Sequence, residues 1–96
     1  MKITHKGKRY DTKNCNVVAT KELYSHSNNY AGTQYLGVAS DDTFITWQNT
    51  NGQDCWIQDK IEVIDRAEAI DALANMDMTS EEESRAVSYG LIELVD

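Results

Sequence analysis

The sequence predicts an α+β fold, with an antiparallel β-meander of four to five strands followed by two C-terminal helices. Three observations carry that expectation. Thr33 to Gln58 alternates apolar and polar residues in short runs separated by turn residues. From Asp65 onward the apolar spacing becomes that of amphipathic helices. The 96 residues include no proline, so turns fall to Gly, Asn, Asp and Ser. This length fits one domain with one modest core: residues 1–96, with the sheet in 1–64 and a helical tail in 65–96.

Taken in order, residues 2–10 read as a small hairpin or a strand broken at Gly7, with Ile3 and Tyr10 as apolar ends. Asp11 and Thr12 are turn formers. Asn16 to Tyr24 reads as a strand, although Cys15, Val18 and Ala19 also have helical spacing. Residues 25–32 form a polar stretch, expected as a loop, with Tyr30 its one large apolar side chain. Gln34 to Ala39 is the next strand. Tyr35, Gly37 and Ala39 fall on one face, and Leu36 and Val38 on the other. Ser40-Asp41-Asp42 makes a turn. In the strand Thr43 to Thr50, Phe44 opposes Ile45 and Trp47. Asn51-Gly52 is the strongest hairpin signal in the chain. It leads to an expected strand at 54–58, with Cys55 and Ile57 opposite Trp56. Alternation resumes at Ile61–Ile64 after a bend at Asp59-Lys60.

Asp65 is a candidate N-cap, with Glu68 completing a capping box. Ala67, Ile70, Leu73, Ala74 and Met76 then mark a helix of about eleven residues. Thr79 or Ser80 caps a second helix, because Glu81, Glu82 and Glu83 occupy its first turn, where the helix dipole favours anions. Val87, Leu91, Leu94 and Val95 continue that helix as an apolar stripe, unless Gly90 ends it.

Charge divides the functional possibilities. The net charge is −7 and the pI about 4.6. Neutralising phosphates requires a basic surface, so direct binding to nucleic acid or to an anionic membrane is not expected. No apolar run reaches the roughly 20 residues of a membrane span, and the first residues do not open a signal peptide. The expected location is the cytoplasm. Residues 1–57 carry six Lys/Arg and five Asp/Glu, and residues 58–96 carry three and eleven. The helical tail thus holds the acid. Lys2, Lys6, Lys8, Arg9 and Lys13, beside Tyr10, form a local basic group, read as a solubilising edge.

Catalytic constellations are not apparent, and the expectation is a protein without enzymatic activity, cofactor or metal. His5 and His26 lie outside any nucleophile-elbow pattern. Cys15, Cys55 and the two histidines are too scattered for paired zinc ligands, and in a reducing compartment both cysteines are expected as buried free thiols. No phosphate-binding glycine motif occurs. Against that background the acidic residues stand out. Asp59, Glu62, Asp65, Glu68 and Asp71 recur at intervals of three, and Asp77, Glu81, Glu82 and Glu83 follow. Helical carboxylates three or four apart stand about 5–6 Å from each other. Duplex DNA carries a charge every ~1.7 Å of axis. A carboxylate row can therefore imitate a phosphate track.

The segments Gly7-Lys8-Arg9-Tyr10-Asp11-Thr12, Tyr35-Leu36, Phe44-Ile45 and Ile64-Asp65-Arg66-Ala67-Glu68-Ala69 together resemble small single-domain proteins of phages and bacterial integrative elements. The resemblance covers residues 7–76. It departs in lacking a proline before the helix and in adding the tail 79–96. Small acidic proteins of such elements include anti-CRISPR inhibitors, some of which act as DNA mimics. The resemblance implies a viral or mobile-element inhibitor acting by protein–protein interaction in the bacterial host cytoplasm. It assigns no residue a role. The charge pattern makes Asp65, Glu68, Asp71, Glu81, Glu82 and Glu83 the candidate partner-binding acids. Tyr30, Trp47 and Trp56 are the candidate aromatic anchors if exposed. The expected partner is a basic protein, such as a nucleic-acid-binding effector. The alternative is a homodimeric structural or regulatory adaptor that pairs through the Val87/Leu91/Leu94/Val95 stripe.

Overall fold

A computed structural model describes residues 1–24, 29–50 and 59–95. The observed class is α+β, as the sequence predicts. The strands are β1 (Lys2–His5), β2 (Lys8–Asp11), β3 (Asn16–Tyr24), β4 (Tyr30–Val38), β5 (Phe44–Thr50) and β6 (Lys60–Ile64). Two helices follow, α1 (Arg66–Ala74) and α2 (Ser80–Ser88). β3 to β6 form a four-stranded antiparallel sheet in sequence order, and β1 and β2 form a separate two-stranded sheet.

Local chemistry explains the turns. Lys6 and Gly7 both adopt positive φ, at 50° and 78°. Those angles suit the two-residue turn whose twist matches the flanking strands. His5 then pairs with Lys8 and Ile3 with Tyr10. Between β4 and β5 the turn is Ser40-Asp41-Asp42. Asp42 takes the left-handed region at φ 68°, and the Thr43 N–H donates to Asp41 Oδ1 at 3.2 Å. Short Asp side chains tolerate that geometry by bonding locally to the backbone.

One expected strand boundary differs. The segment 25–32 is not a loop throughout, because Tyr30 already pairs with Tyr24 and Gly32 with Leu23. Polar side chains hide a strand whose outer residues face water. The expected strand at 54–58 and the Asn51-Gly52 turn lie outside the described residues. Lys60–Ile64 is the strand that pairs with β5, Thr46 lying opposite Glu62 and Trp47 opposite Ile61.

The sheet has a core on each face. Leu36, Val38, Val18, Ala19 and Ile64 meet Ala69 and Leu73 of α1, Ala86 of α2 and Leu91 on one side. Ile45, Trp47 and Ala39 meet Tyr35, Val17, Val63, Met1 and Tyr10 on the other. The β1–β2 hairpin is thus a third layer, opposite the helices, and the single core expected from length is divided by the sheet. A bulge in β3 serves this arrangement. Val17 pairs with Gly37 and Ala19 with Leu36, leaving Val18 as the extra residue. Val18 and Ala19 are therefore both buried on the helix side, which strict alternation would forbid.

Gly37 is required by its neighbour. A Cβ placed there would lie 2.7 Å from the Trp47 ring. The ring lies across the backbone of β4 and stacks on Tyr35 at 5.3 Å between centroids. Gly37→Ala is accordingly expected to cost about 1–3 kcal/mol through overpacking, read as a lower urea midpoint at unchanged slope.

Both helices begin where the sequence places them. Asp65 accepts the Glu68 N–H at 2.8 Å, and Glu68 accepts the Asp65 N–H at 3.3 Å. Thr79, the first of the two candidate caps, is the N-cap of α2. It accepts the Glu82 N–H at 3.2 Å and donates its own N–H to Glu82 Oε1 at 2.9 Å. The end of α1 falls short of the expected eleven residues, and for α2 the alternative holds in which Gly90 ends the helix. α1 stops at Ala74, with Asn75 as its C-cap. α2 stops at Ser88, and the apolar residues after it are not helical. Gly90 at φ 70°, with Gly90 N–H to Val87 O and Leu91 N–H to Ala86 O, both at 2.9 Å, forms a glycine-terminated helix end. Arg66 at the start of α1 donates to the Tyr89 and Gly90 carbonyls, placing a cation at the negative end of α2.

Candidate functional site

The helix layer carries the acidic surface, and the structure sorts the candidate residues by environment. The row at intervals of three does not lie on one helix. Asp59 and Glu62 belong to the approach to β6 and to the strand itself, Asp65 is the N-cap of α1, and Glu68 and Asp71 lie within α1. The helical spacing argument therefore holds between Glu68 and Asp71 only. Asp59 is engaged, accepting the Thr50 N–H at 2.7 Å and the Thr50 hydroxyl at 3.1 Å. Asp65 and Glu68 are exposed but bound to each other's backbone as the capping box. Asp71 is exposed, with no ion pair to a described residue.

The three consecutive glutamates point three ways, because each helical residue turns ~100° from the last. Glu81 is exposed, Glu83 half-buried and Glu82 buried, at 7 % exposure. Glu82 differs from the expectation of a partner-facing acid. Besides closing the capping box, its Oε2 accepts the N–H of Thr20 at 2.8 Å. That N–H belongs to the free edge of β3, so Glu82 ties α2 to the sheet. Burial by itself raises the Glu82 carboxyl. The N–H groups of Thr79 and Thr20, the Thr79 hydroxyl and the charge of Arg85 outweigh it and hold the carboxyl below the ordinary glutamate range.

The aromatic candidates also separate. Trp47 is buried, at 6 % exposure, so it fails the condition set for a surface anchor. Its indole fills the hairpin-side core. Trp56 lies outside the described residues. Tyr30 is exposed, with Tyr24 packed edge-on at 6.4 Å between ring centroids, and its hydroxyl meets that of Thr33. Tyr24, equally exposed, was not singled out in the sequence. Its pairing across the strand with Tyr30 is a matter of register alone.

Five basic residues stand on the opposite layer, while Arg66 and Arg85 lie in the helices. Lys2, Lys6, Lys8, Arg9 and Lys13 are exposed on the hairpin and the turn after it. Tyr10 is unavailable for stacking against a base. Its ring packs in the hairpin-side core, and its hydroxyl donates to Asp41 Oδ2 at 2.8 Å. Thr43, Tyr10 and Lys8 all donate to Asp41 and hold its carboxyl well below the usual aspartate range. This knot clamps the hairpin to the β4–β5 turn.

Cys15 is a half-buried free thiol. Burial, with Asp11 and Asp41 nearby, pushes its pKa up, which disfavours the nucleophilic thiolate. His26 and Cys55 lie outside the described residues. Among the described residues no group of three His, Cys, Asp or Glu is placed to hold a metal ion, and no helix is long and apolar enough to cross a membrane. Set against family models, curated proteins and solved structures, the chain gives no match.

Proposed function

We propose that this chain is a non-enzymatic binding protein whose acidic helix layer occupies the basic, nucleic-acid-binding surface of another protein. The observation that carries the reading is the excess of exposed acid on that layer over its two arginines, Arg66 and Arg85. Among the described residues the single ion pair joins Lys8 to Asp41, at 3.3 Å on the hairpin side. Exposed Glu62, Asp71, Asp77 and Glu81 outnumber these cations and project a net negative field, which steers and selects a cationic partner. The basic hairpin lies beyond the sheet and does not cancel it. The partner class is the one the mobile-element resemblance implies, a nucleic-acid-handling host defence protein such as a CRISPR effector.

Charge reversal tests this without disturbing the caps. Asp65, Glu68 and Glu82 hold helix ends and are left intact. Asp71→Lys, Asp77→Lys and Glu81→Lys together alter only exposed positions. Binding to a basic effector recovered from host lysate is expected to weaken about a hundredfold in the triple variant, at roughly 1 kcal/mol per removed contact charge. It should also weaken steadily with added salt. Affinity that is indifferent to both salt and charge reversal refutes the reading.

The alternative, a homodimer through the Val87/Leu91/Leu94/Val95 stripe, is less favoured, because the four do not share one helical face, although Val87, Leu94 and Val95 are exposed. Leu91 is buried in the helix-side core, and Leu94 and Val95 lie beyond the helix.

A further inference from the structure

The edge of the sheet adjoining α2 is only partly closed. Among the described residues β3 is the terminal strand, so no described strand lies beside its outer backbone groups. Glu82 covers the Thr20 N–H. Backbone groups of a strand alternate between its two edges, so the N–H and C=O of Glu22 point outward in phase with those of Thr20. No described residue pairs with them. Beside this open edge runs a groove of about 510 Å³, bounded by Lys21, Glu22 and Tyr24 of β3, Asp77 of the α1–α2 connection, the N-cap Thr79, and Glu82 of α2.

We infer that the open edge of β3, from Lys21 to Tyr24, is a strand-addition site for an extended basic segment of the partner protein. The inference deepens the proposed function and rests on it. Two features select the occupant. The unpaired Glu22 amide and carbonyl demand an extended backbone, since only a strand returns both hydrogen bonds from one residue. Glu22, Asp77 and Glu82 outnumber Lys21 along the groove, so the side chains favoured there are cationic. A second copy of the chain is the weaker occupant. A two-fold pairing of these edges would set one acidic groove against another, and like charges directly opposed are destabilising. Edge strands left open in this way are usually blunted. Here the blunting stops at Thr20.

The probe is an octapeptide of alternating lysine and valine with blocked ends. Its partner probe has the same sequence N-methylated at the four central residues, which removes pairing from both edges at constant charge. Titrated into the full chain at low ionic strength, the unmodified peptide should bind, and the N-methylated one about tenfold more weakly, the loss expected for two hydrogen bonds. Amide exchange at Glu22 should slow in the first complex, while Lys21 and Leu23, already paired to β4, stay unchanged. Equal binding of the two peptides with no protection at Glu22 overturns the inference and leaves the acidic-surface reading standing. Failure of both peptides to bind overturns the two together. Protection of Glu22 without peptide, accompanied by a doubled mass, assigns the edge to a second copy and also overturns it.

Discussion

Replacing Glu82 with alanine is expected to destabilise the protein by about 3 kcal/mol, the sum of a lost N-cap partner and a lost charged hydrogen bond. For a domain of this size that is a fall of roughly 15 °C in melting temperature. The carboxylate serves two elements at once. It returns the Thr79 N–H at the start of α2 and takes the Thr20 N–H from the edge of β3. Alanine leaves both donors without a partner in a half-buried place. The effect should depend on pH in a defined direction. The folded Glu82 carboxyl lies below its ordinary value of 4.5, so the unfolded chain binds the proton first as pH falls. Its contribution is therefore complete above about pH 4.5 and is lost as pH drops through the lower, folded value. Glu82→Gln keeps an acceptor and loses the charge, so its stability gap from the native chain should narrow below pH 4.5. Urea unfolding at a series of pH values measures this. A gap constant across the acid range would show that the charge of Glu82 contributes nothing.

Trp47→Ala is expected to cost about 4 kcal/mol, in the range for removing a buried aromatic. Such a loss takes a large part of the 5–15 kcal/mol that a small domain has in total. The ring fills the space between the sheet and the hairpin, stacked on Tyr35 and lying over Gly37. Its removal should loosen the β1–β2 layer, and Ile3 and Tyr10 should lose amide protection before Leu36 and Val38 do. Trp47→Phe should recover most of the stability. A Trp47→Ala chain that kept its urea midpoint and lost affinity for the partner would restore this residue as a docking anchor and refute its role in the core.

The two residues show which kinds of information were legible. Caps and turns are local. The side chains of Asp65 and Thr79 bond within three residues of themselves, and Gly7 and Asp42 bend the chain at their own positions. The capping boxes, the strand from Asn16 to Tyr24 and the turn at Ser40-Asp41-Asp42 were therefore readable in sequence. Alternation also divided Leu36 and Val38 from Tyr35, and Phe44 from Ile45 and Trp47, onto the two faces where they occur. It could not tell that both faces are covered, because the hairpin that buries Trp47 is distant in sequence. The polar run before Tyr30 concealed the start of β4, since cross-strand pairing with Tyr24 supplies hydrogen bonds that side-chain polarity does not reveal.

The candidate site was legible as a charge and not as a surface. Counting residues located the acid in the tail, and the structure places Asp71 and Glu81 in water there. Glu81, Glu82 and Glu83 are the same residue type three times, yet their environments are exposed, buried and half-buried. Only the packing of α2 on β3 distinguishes them.

By itself, then, the sequence determined the α+β class, the turn and cap residues and the division of charge along the chain. These follow from backbone preferences and side-chain bonds acting over a few residues. The tertiary structure alone decided that the hairpin, with its five exposed basic residues, lies on the face of the sheet opposite the helices. It alone decided that Glu82 takes the outward Thr20 N–H on the β3 edge. Those outcomes depend on which distant surfaces exclude water together, and burial of that kind has no local signature in the chain.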